Sequence, residues 1–206
     1  MSNNDQEDLP QGWRLVELRN VVCVVNGTTP QSSTSDYWGG DIVWITPTDL
    51  GKLKEREIVT SERKITQTGF DSCGLNLVPS GTVILSSRAP IGHLGIAKTE
   101  LCINQGCKAL IPKADIDSDF LYFAMRKSVS ALQALGSGST FAEVSKSQVE
   151  KFEIPLPPLA EQKRIAAILT EQLAAVEKAR KSTQEQLTMI NALPKAFLHQ
   201  AFSGAL

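Results

Sequence analysis

The sequence predicts an α+β fold: a compact β-rich mixed-sheet domain followed by a long C-terminal coiled-coil helix. Three observations predict it. From Gly12 to about Pro112, short β-branched and apolar runs alternate with turn residues, the pattern of strands and loops. At Pro155, Pro157 and Pro158 a rigid joint stops what precedes it, because proline has no amide hydrogen to donate and restricts its neighbour. From Ala160 onward, apolar residues recur in alternating steps of three and four, the period of a coiled-coil seam.

The elements follow in chain order. Residues 1–11 are polar and acidic without periodicity, so a disordered tail is expected there. Strands are expected at Val21 to Val25, Ile42 to Thr46, Thr82 to Ser86, Leu94 to Ala97 and Lys108 to Ile111, in one twisted mixed sheet. One helix is expected from about Asp119 to Leu135, capped by Asp117 or Ser118, with Phe120, Leu121, Ala124, Met125, Val129, Leu132 and Leu135 on its buried face. Gly136 to Ser139 ends it. Ser145 and Gln148 have capping-box spacing and start a short helix that leads into a strand at Phe152 to Pro155. Residues 12–158 thus form one domain and 159–206 a helix with an apolar tail.

The seam runs through Ala166, Leu169, Leu173, Val176, Arg180, Thr183, Leu187 and Ile190. Arg180 and Thr183 interrupt it near the middle. Polar seam residues weaken a coil but favour one register, so these two align a partner helix, or else Arg180 snorkels to solvent from a loosely paired helix. Pro194 is expected to kink or end the helix, leaving Phe197, Leu198 and Phe202 as the tail.

Composition excludes several classes. With 42% hydrophobic and 21% charged residues, the chain is that of a soluble globular protein, and no apolar run approaches the ~20 residues that cross a bilayer. The polar N-terminus is neither a signal nor a transit peptide, so a cytoplasmic location without membrane partner is expected. Cys23, Cys73, Cys102 and Cys107 form no CxxC pair and, with only His93 and His199, no metal site; reduced thiols are expected. The net charge of −1 argues against strong non-specific binding to nucleic acid. Lys52, Lys54, Arg56, Arg63 and Lys64 cluster, but Glu55, Glu57 and Glu62 lie among them.

Catalytic motifs are missing. There is no phosphate-cradling GxxxxGK[ST], no Gly-rich cofactor turn and no Asn/Asp-Pro-Pro-aromatic loop. Asp49 followed by Glu62, Arg63 and Lys64 has the residue order of a metal-dependent nuclease, which stands as one alternative. A coiled-coil adaptor that never touches DNA is a second.

A wider pattern covers nearly the whole chain: Leu9-Pro10-Gln11-Gly12-Trp13 with Leu18, Gly27 with Thr29-Pro30, Gly40 to Ile45 ahead of Asp49-Leu50, Pro79-Ser80-Gly81-Thr82-Val83, Arg88 with Ile91-Gly92, Asn104-Gln105-Gly106, Phe120-Leu121-Tyr122, Gly138-Ser139-Thr140, and Pro155-Leu156-Pro157-Pro158-Leu159-Ala160-Glu161-Gln162. In these residues the chain resembles the specificity subunit of type I restriction-modification enzymes. The proline joint is the most specific match. The resemblance implies a non-catalytic reader of double-stranded DNA that docks a methylating subunit, with a restriction subunit in the full complex. Any S-adenosylmethionine would reside on the methylating subunit, and no cofactor is expected in this chain. The family usually has two recognition domains and two long helices; this chain has one of each.

The resemblance makes residues 12–158 a target recognition domain. Candidate DNA contacts are Thr28, Ser33 and Tyr37 in the loop Gly27 to Trp38; Lys52, Lys54, Lys64 and Thr66 in Lys52 to Thr66; and Ser139, Thr140 and Lys146 in Gly136 to Lys146. Arg88 joins them from a strand end, its other reading being an ion pair with a surface acid. His93 contacts either DNA or backbone in its turn. Trp13 and Trp44 are expected in the core, and Tyr37-Trp38 either at a DNA edge or over the sheet rim. The partner-facing helix residues are Leu169, Leu173, Val176, Arg180, Leu187 and Ile190. Two copies related by a twofold axis would place their helices antiparallel. A seam of ~30 residues spans roughly 45 Å, or about 13 base pairs.

Overall fold

The computed structural model describes residues 9–136 and 142–203. The chain divides into two units, Met1–Arg164 and Ile165–Leu206.

In the first unit, β1 (Arg14–Glu17) precedes a four-residue helix α1 (Leu18–Val21), which turns the chain into β2 (Val22–Asn26). A 3-10 turn over Ser35–Tyr37 leads to β3 (Trp38–Ile45) and α2 (Pro47–Lys52), and then to the two-residue strands β4 (Glu57–Ile58) and β5 (Lys64–Ile65). Helix α3 (Gln67–Asp71) is followed by β6 (Val83–Ser86), β7 (Leu94–Ala97), β8 (Cys102–Ile103) and β9 (Cys107–Pro112). Helices α4 (Ser118–Lys127), α5 (Val129–Leu135) and α6 (Lys146–Lys151) lead to β10 (Glu153–Leu156).

The strands form three sheets where one was expected. The largest has the order β2-β9-β6-β7-β4, a second has β5-β3-β8, and β1 pairs with β10 alone. The division follows from residue content. Strands β6 and β9 are buried along most of their length and sit centrally, as continuous apolar runs must. Strand β3 keeps only Val43, Trp44 and Ile45 buried, and a register shift between Trp38 and Ile42 bends it toward β5. The principal core packs Ile45, Leu50, Ile58, Ile84, Leu101 and Ile103, and a smaller one gathers Trp44, Ile65, Leu75 and Cys102 under Trp38. Truncating one of the fully buried leucines, such as Leu85, is expected to cost about 2–5 kcal/mol.

The helical part differs from expectation in its continuity and in its buried face. Asp117 is the cap, accepting from the Phe120 N–H at 3.0 Å, but the helix breaks in two at Ser128. Its hydroxyl donates to the Ala124 carbonyl at 2.9 Å and its backbone leaves the helical region. Leu135 is exposed, and Tyr122 and Phe123 are buried instead. The capping box of Ser145 and Gln148 starts α6.

The proline joint is held by a side chain. Gln162, fully enclosed, donates to the carbonyls of Asp115 (3.0 Å) and Pro157 (2.9 Å) and accepts from the Asp117 N–H at 2.9 Å. Glu161 and Arg164 pair through two contacts of 2.7 and 2.8 Å. That pairing lowers the carboxyl's pKa and raises the guanidinium's.

Helix α7 spans Leu159–Phe202, its first turns in the first unit and the rest forming the second. Pro194 lies inside it and does not end it. The missing bond falls on an exposed stretch where water reaches the orphaned carbonyl, so the helix continues. In the second unit Leu173, Val176, Leu187, Ile190 and Phe197 are all exposed. Arg180 is 80% exposed and stands 3.9 Å from Glu177. Among the described residues no helix is long and apolar enough to cross a membrane.

Candidate nucleic-acid interface

The candidate interface is built around the turn Asn104-Gln105-Gly106, between β8 and β9. The Gly106 N–H donates to the Asn104 side chain at 2.8 Å, and the Cys107 N–H to the Asn104 carbonyl at 2.9 Å. Gly27 lies against one side of this turn so closely that a Cβ would stand 2.0 Å from the Asn104 oxygen; no side chain fits there. The next residue, Thr28, donates its N–H to Ile103 at 3.0 Å. On the other side, a Cβ on Gly106 would lie 3.1 Å from Arg88 Nε. Thr28 and Arg88 thus flank one tight turn, with Gln105 exposed at its tip.

Arg88 emerges from the end of buried β6. Ser86 stitches the following loop: its hydroxyl donates to the Pro90 carbonyl at 2.7 Å and accepts from the His93 N–H at 2.8 Å. Ala89 has φ +52°, a left-handed conformation uncommon for a residue with a Cβ. It turns the chain immediately after Arg88. His93 Nδ1 lies 3.3 Å from the Pro47 carbonyl, so this histidine contacts backbone, at the start of α2 rather than in its own turn.

Two further segments meet this surface. The Trp44 indole N–H donates to the Thr28 carbonyl at 3.0 Å, and Trp38 meets Trp44 edge-on at 5.1 Å. Arg63 is stacked 3.5 Å over the Trp38 ring, and the Thr66 N–H bonds the Tyr37 carbonyl. The loops 27–38 and 59–66 are thereby laced together. Near the third loop, Gln133 donates to the Ile91 carbonyl at 3.0 Å and the Val144 N–H to that of Ser87 at 2.9 Å.

The candidate residues differ in availability. Lys64 and Lys54 have no ion pair among the described residues, and Tyr37 is half-buried. Lys52 is paired with Glu62, whose hydrogen bond raises the ammonium's pKa and cancels much of its charge toward a third party. Lys146 pairs with Glu150 at 3.5 Å. The Thr66 hydroxyl caps α3 and donates to the Asp36 carbonyl at 2.7 Å, while Ser33 accepts from Gln31 at 3.2 Å. Ser139 and Thr140 lie outside the described residues. Arg56, from the same cation cluster, is tied to Asp119 and lies over Phe123. Trp44 is core, but Trp13 is only half-buried.

The nuclease alternative does not survive the geometry. One Asp49 oxygen accepts from the Thr46 N–H and hydroxyl and the other from the Glu62 N–H. The carboxylate is the capping-box member of α2. Glu62 is spent on Lys52, and Lys64 lies on β5 opposite Val43. Among the described residues no group of three or more His, Cys, Asp or Glu is placed to hold a metal.

One cluster escaped the sequence reading. Lys108 is buried in β9; its ammonium contacts the Ser87 hydroxyl at 3.1 Å and Glu143 at 3.2 Å, and Arg88 Nη1 stands 3.9 Å from the other oxygen of Glu143. The available signal was a lone lysine inside the apolar run Cys107 to Ile111. Nearby, burial pushes the Cys102 thiol up to about 12 and that of Cys107 higher still.

Comparison with known proteins gives a consistent result. The family described as type I restriction modification DNA specificity domain matches residues 10–186. The MjaIX specificity subunit of a type I restriction enzyme from Methanocaldococcus jannaschii is 38% identical over 178 residues, covering 85% of this chain and 41% of the relative. The EcoR124I/EcoR124II specificity subunit of Escherichia coli is 29% identical over 150 residues, covering 69% and 36%. A solved structure from work on assembly and conformational transition of the type I R-M system superposes with TM-score 0.76 at 31% identity, over 98% of this chain and 49% of that one. The HsdS subunit from Thermoanaerobacter tengcongensis gives TM-score 0.65 at 28% identity, over 85% and 42%. The chain spans less than half the length of each of these proteins.

Proposed function

The chain belongs to the type I restriction modification DNA specificity family, and from that premise we propose that it is a non-catalytic, sequence-specific DNA reader taking one half-site of a bipartite target. The observation that carries this reading is the convergence of Thr28, Gln105 and Arg88 on one turn, with the loops 27–38 and 59–66 laced beside it. Polar and cationic side chains on short, braced loops are what base edges and phosphates require. The partners are the methylating subunit, which brings S-adenosylmethionine, and the restriction subunit of the full complex, acting together in the cytoplasm.

A second copy of the chain covers the exposed seam of α7. With the twofold axis between Arg180 and Thr183, an antiparallel pairing sets Leu173 against Ile190′ and Val176 against Leu187′, with Arg180 facing Thr183′ at the centre. A parallel, in-register pair would instead bring Arg180 against Arg180′ in one layer, two like charges that repel. The seam therefore favours the antiparallel arrangement.

Selection from a randomised duplex pool tests the reading, using the full chain alone and with the methylating subunit. A short motif is expected to emerge with the subunit present; a pool that remains random in both arms refutes it.

A further inference from the structure

Arg88, Lys108 and Glu143 place two cations on one carboxylate, and they share it unequally. Lys108 is the buried member, its side chain 5% exposed, and its ammonium is within contact of both Glu143 Oε1 (3.2 Å) and the Ser87 hydroxyl (3.1 Å). A buried ammonium stripped of its carboxylate is costly, so this contact is the one the fold must keep. Arg88 is 34% exposed and its Nη1 is 3.9 Å from Oε2, beyond hydrogen-bonding distance, although an arginine beside a free carboxylate ordinarily closes into a two-bond fork. The three charges sum to +1, and the surplus is on the residue that faces outward.

The backbone supports this division. Arg88 and Glu143 form an isolated β-bridge, and the Val144 N–H donates to the Ser87 carbonyl at 2.9 Å, so the carboxylate cannot move away with its loop. The Ser87 hydroxyl, which receives Lys108, itself donates to the Gly106 carbonyl at 3.1 Å. Gly106 leaves room for the Arg88 guanidinium stem.

We propose that Lys108 is a positioning residue: it occupies Glu143 from beneath and so keeps the Arg88 guanidinium available for an acceptor pair on DNA, either phosphate oxygens or a guanine edge. The proposal rests on the reading that Arg88 faces DNA. Without Lys108, Glu143 would close onto Arg88 and neutralise it.

The test is a cycle of variants of the full chain, measured by fluorescence anisotropy on a random-sequence duplex pool and on any duplex obtained by selection. Arg88→Ala is expected to weaken binding about tenfold, the size of one lost charged contact. Lys108→Met should weaken it to a similar extent, but add nothing when Arg88 is already Ala. Lys108→Met/Glu143→Gln, which leaves Arg88 unopposed, should return affinity to within about twofold of wild type. Should Lys108→Met alone not fold, the double variant decides: it removes one charge of each sign, and a loss of binding in it overturns the proposal. Additive losses from Arg88→Ala and Lys108→Met would make Lys108 an independent contact, which also overturns it. Arg88→Ala with wild-type affinity on every duplex would refute the underlying reading itself. Loss on the selected duplex alone assigns the acceptor to guanine; equal loss on the pool assigns it to phosphate.

Discussion

At the scale of single residues, the distinction that matters is between a cation that positions and one that reads. If Arg88 makes a two-bond contact with a base, Arg88→Ala costs about 1–3 kcal/mol on the preferred site and relaxes preference at one position. Lys64, half-exposed on a strand edge and without an ion pair among the described residues, is expected to touch phosphate. Its removal then weakens all sequences alike and makes the salt slope shallower by about one unit. Binding measured across sequences and salt separates the two. Cys102 yields a prediction of another kind. Its thiol ionises near 9 when unfolded but only near about 12 in the fold, so the folded state holds the proton that the unfolded state releases. The stabilisation is therefore complete below about pH 9 and is lost as pH rises from there to about 12. Chemical denaturation of wild type should lose more stability over that window than Cys102→Ala does. An equal loss in both proteins would mean that Cys102 titrates normally.

At the scale of elements, the seam of α7 makes the arrangement of two copies testable. In a Cys23→Ser background, Val176→Cys with Leu187→Cys should form an intermolecular disulfide, whereas Val176→Cys alone should not; a parallel pair would give the opposite result for the single variant. Leu173→Asp with Leu187→Asp should convert the proposed dimer to a monomer in sedimentation while the circular dichroism of the first unit persists. The elements that were legible beforehand are those whose sequence carries its own period or cap. Strands β6, β7 and β9, the capping box of α6 and the run of α7 all qualify. The two-residue strands β4, β5 and β8 are too short to show a period. The break at Ser128 has no such marker, since the bond its hydroxyl makes to the carbonyl four residues back recurs at Thr183 inside the unbroken α7. Of the two outcomes expected at Pro194, a kink or an end, the end does not occur, since the helix runs on to Phe202. The candidate site divides the same way. Arg88 stood out by its place after an apolar strand. The capture of Asp49 by a helix end was open to reading from the three-residue spacing of Thr46 and Asp49, whereas that of Lys52 by Glu62 is a contact between residues ten apart.

At the scale of the whole molecule, charge sets the expectation. A chain with net charge −1 neutralises few phosphates, so its own hold on DNA is expected to be weak and to depend on what docks beside it. Adding the methylating subunit should tighten binding more than about tenfold, or 1.4 kcal/mol. Tight, sequence-selective binding by the isolated chain at physiological salt would show that the partner is not needed for affinity. The pairing of β1 with β10 has a consequence of a different order. Arg14 lies opposite Leu156 and Glu17 opposite Glu153, so the chain enters and leaves the first unit through two adjacent strands. A unit whose ends are neighbours behaves as a cassette: it can be lifted from one polypeptide and set into another with only a short closure at the seam, and the host loses little chain entropy in receiving it. Genes encoding such a unit would be able to trade its contents by recombination at its two borders, and the recipient would acquire a new target without rebuilding anything that surrounds it.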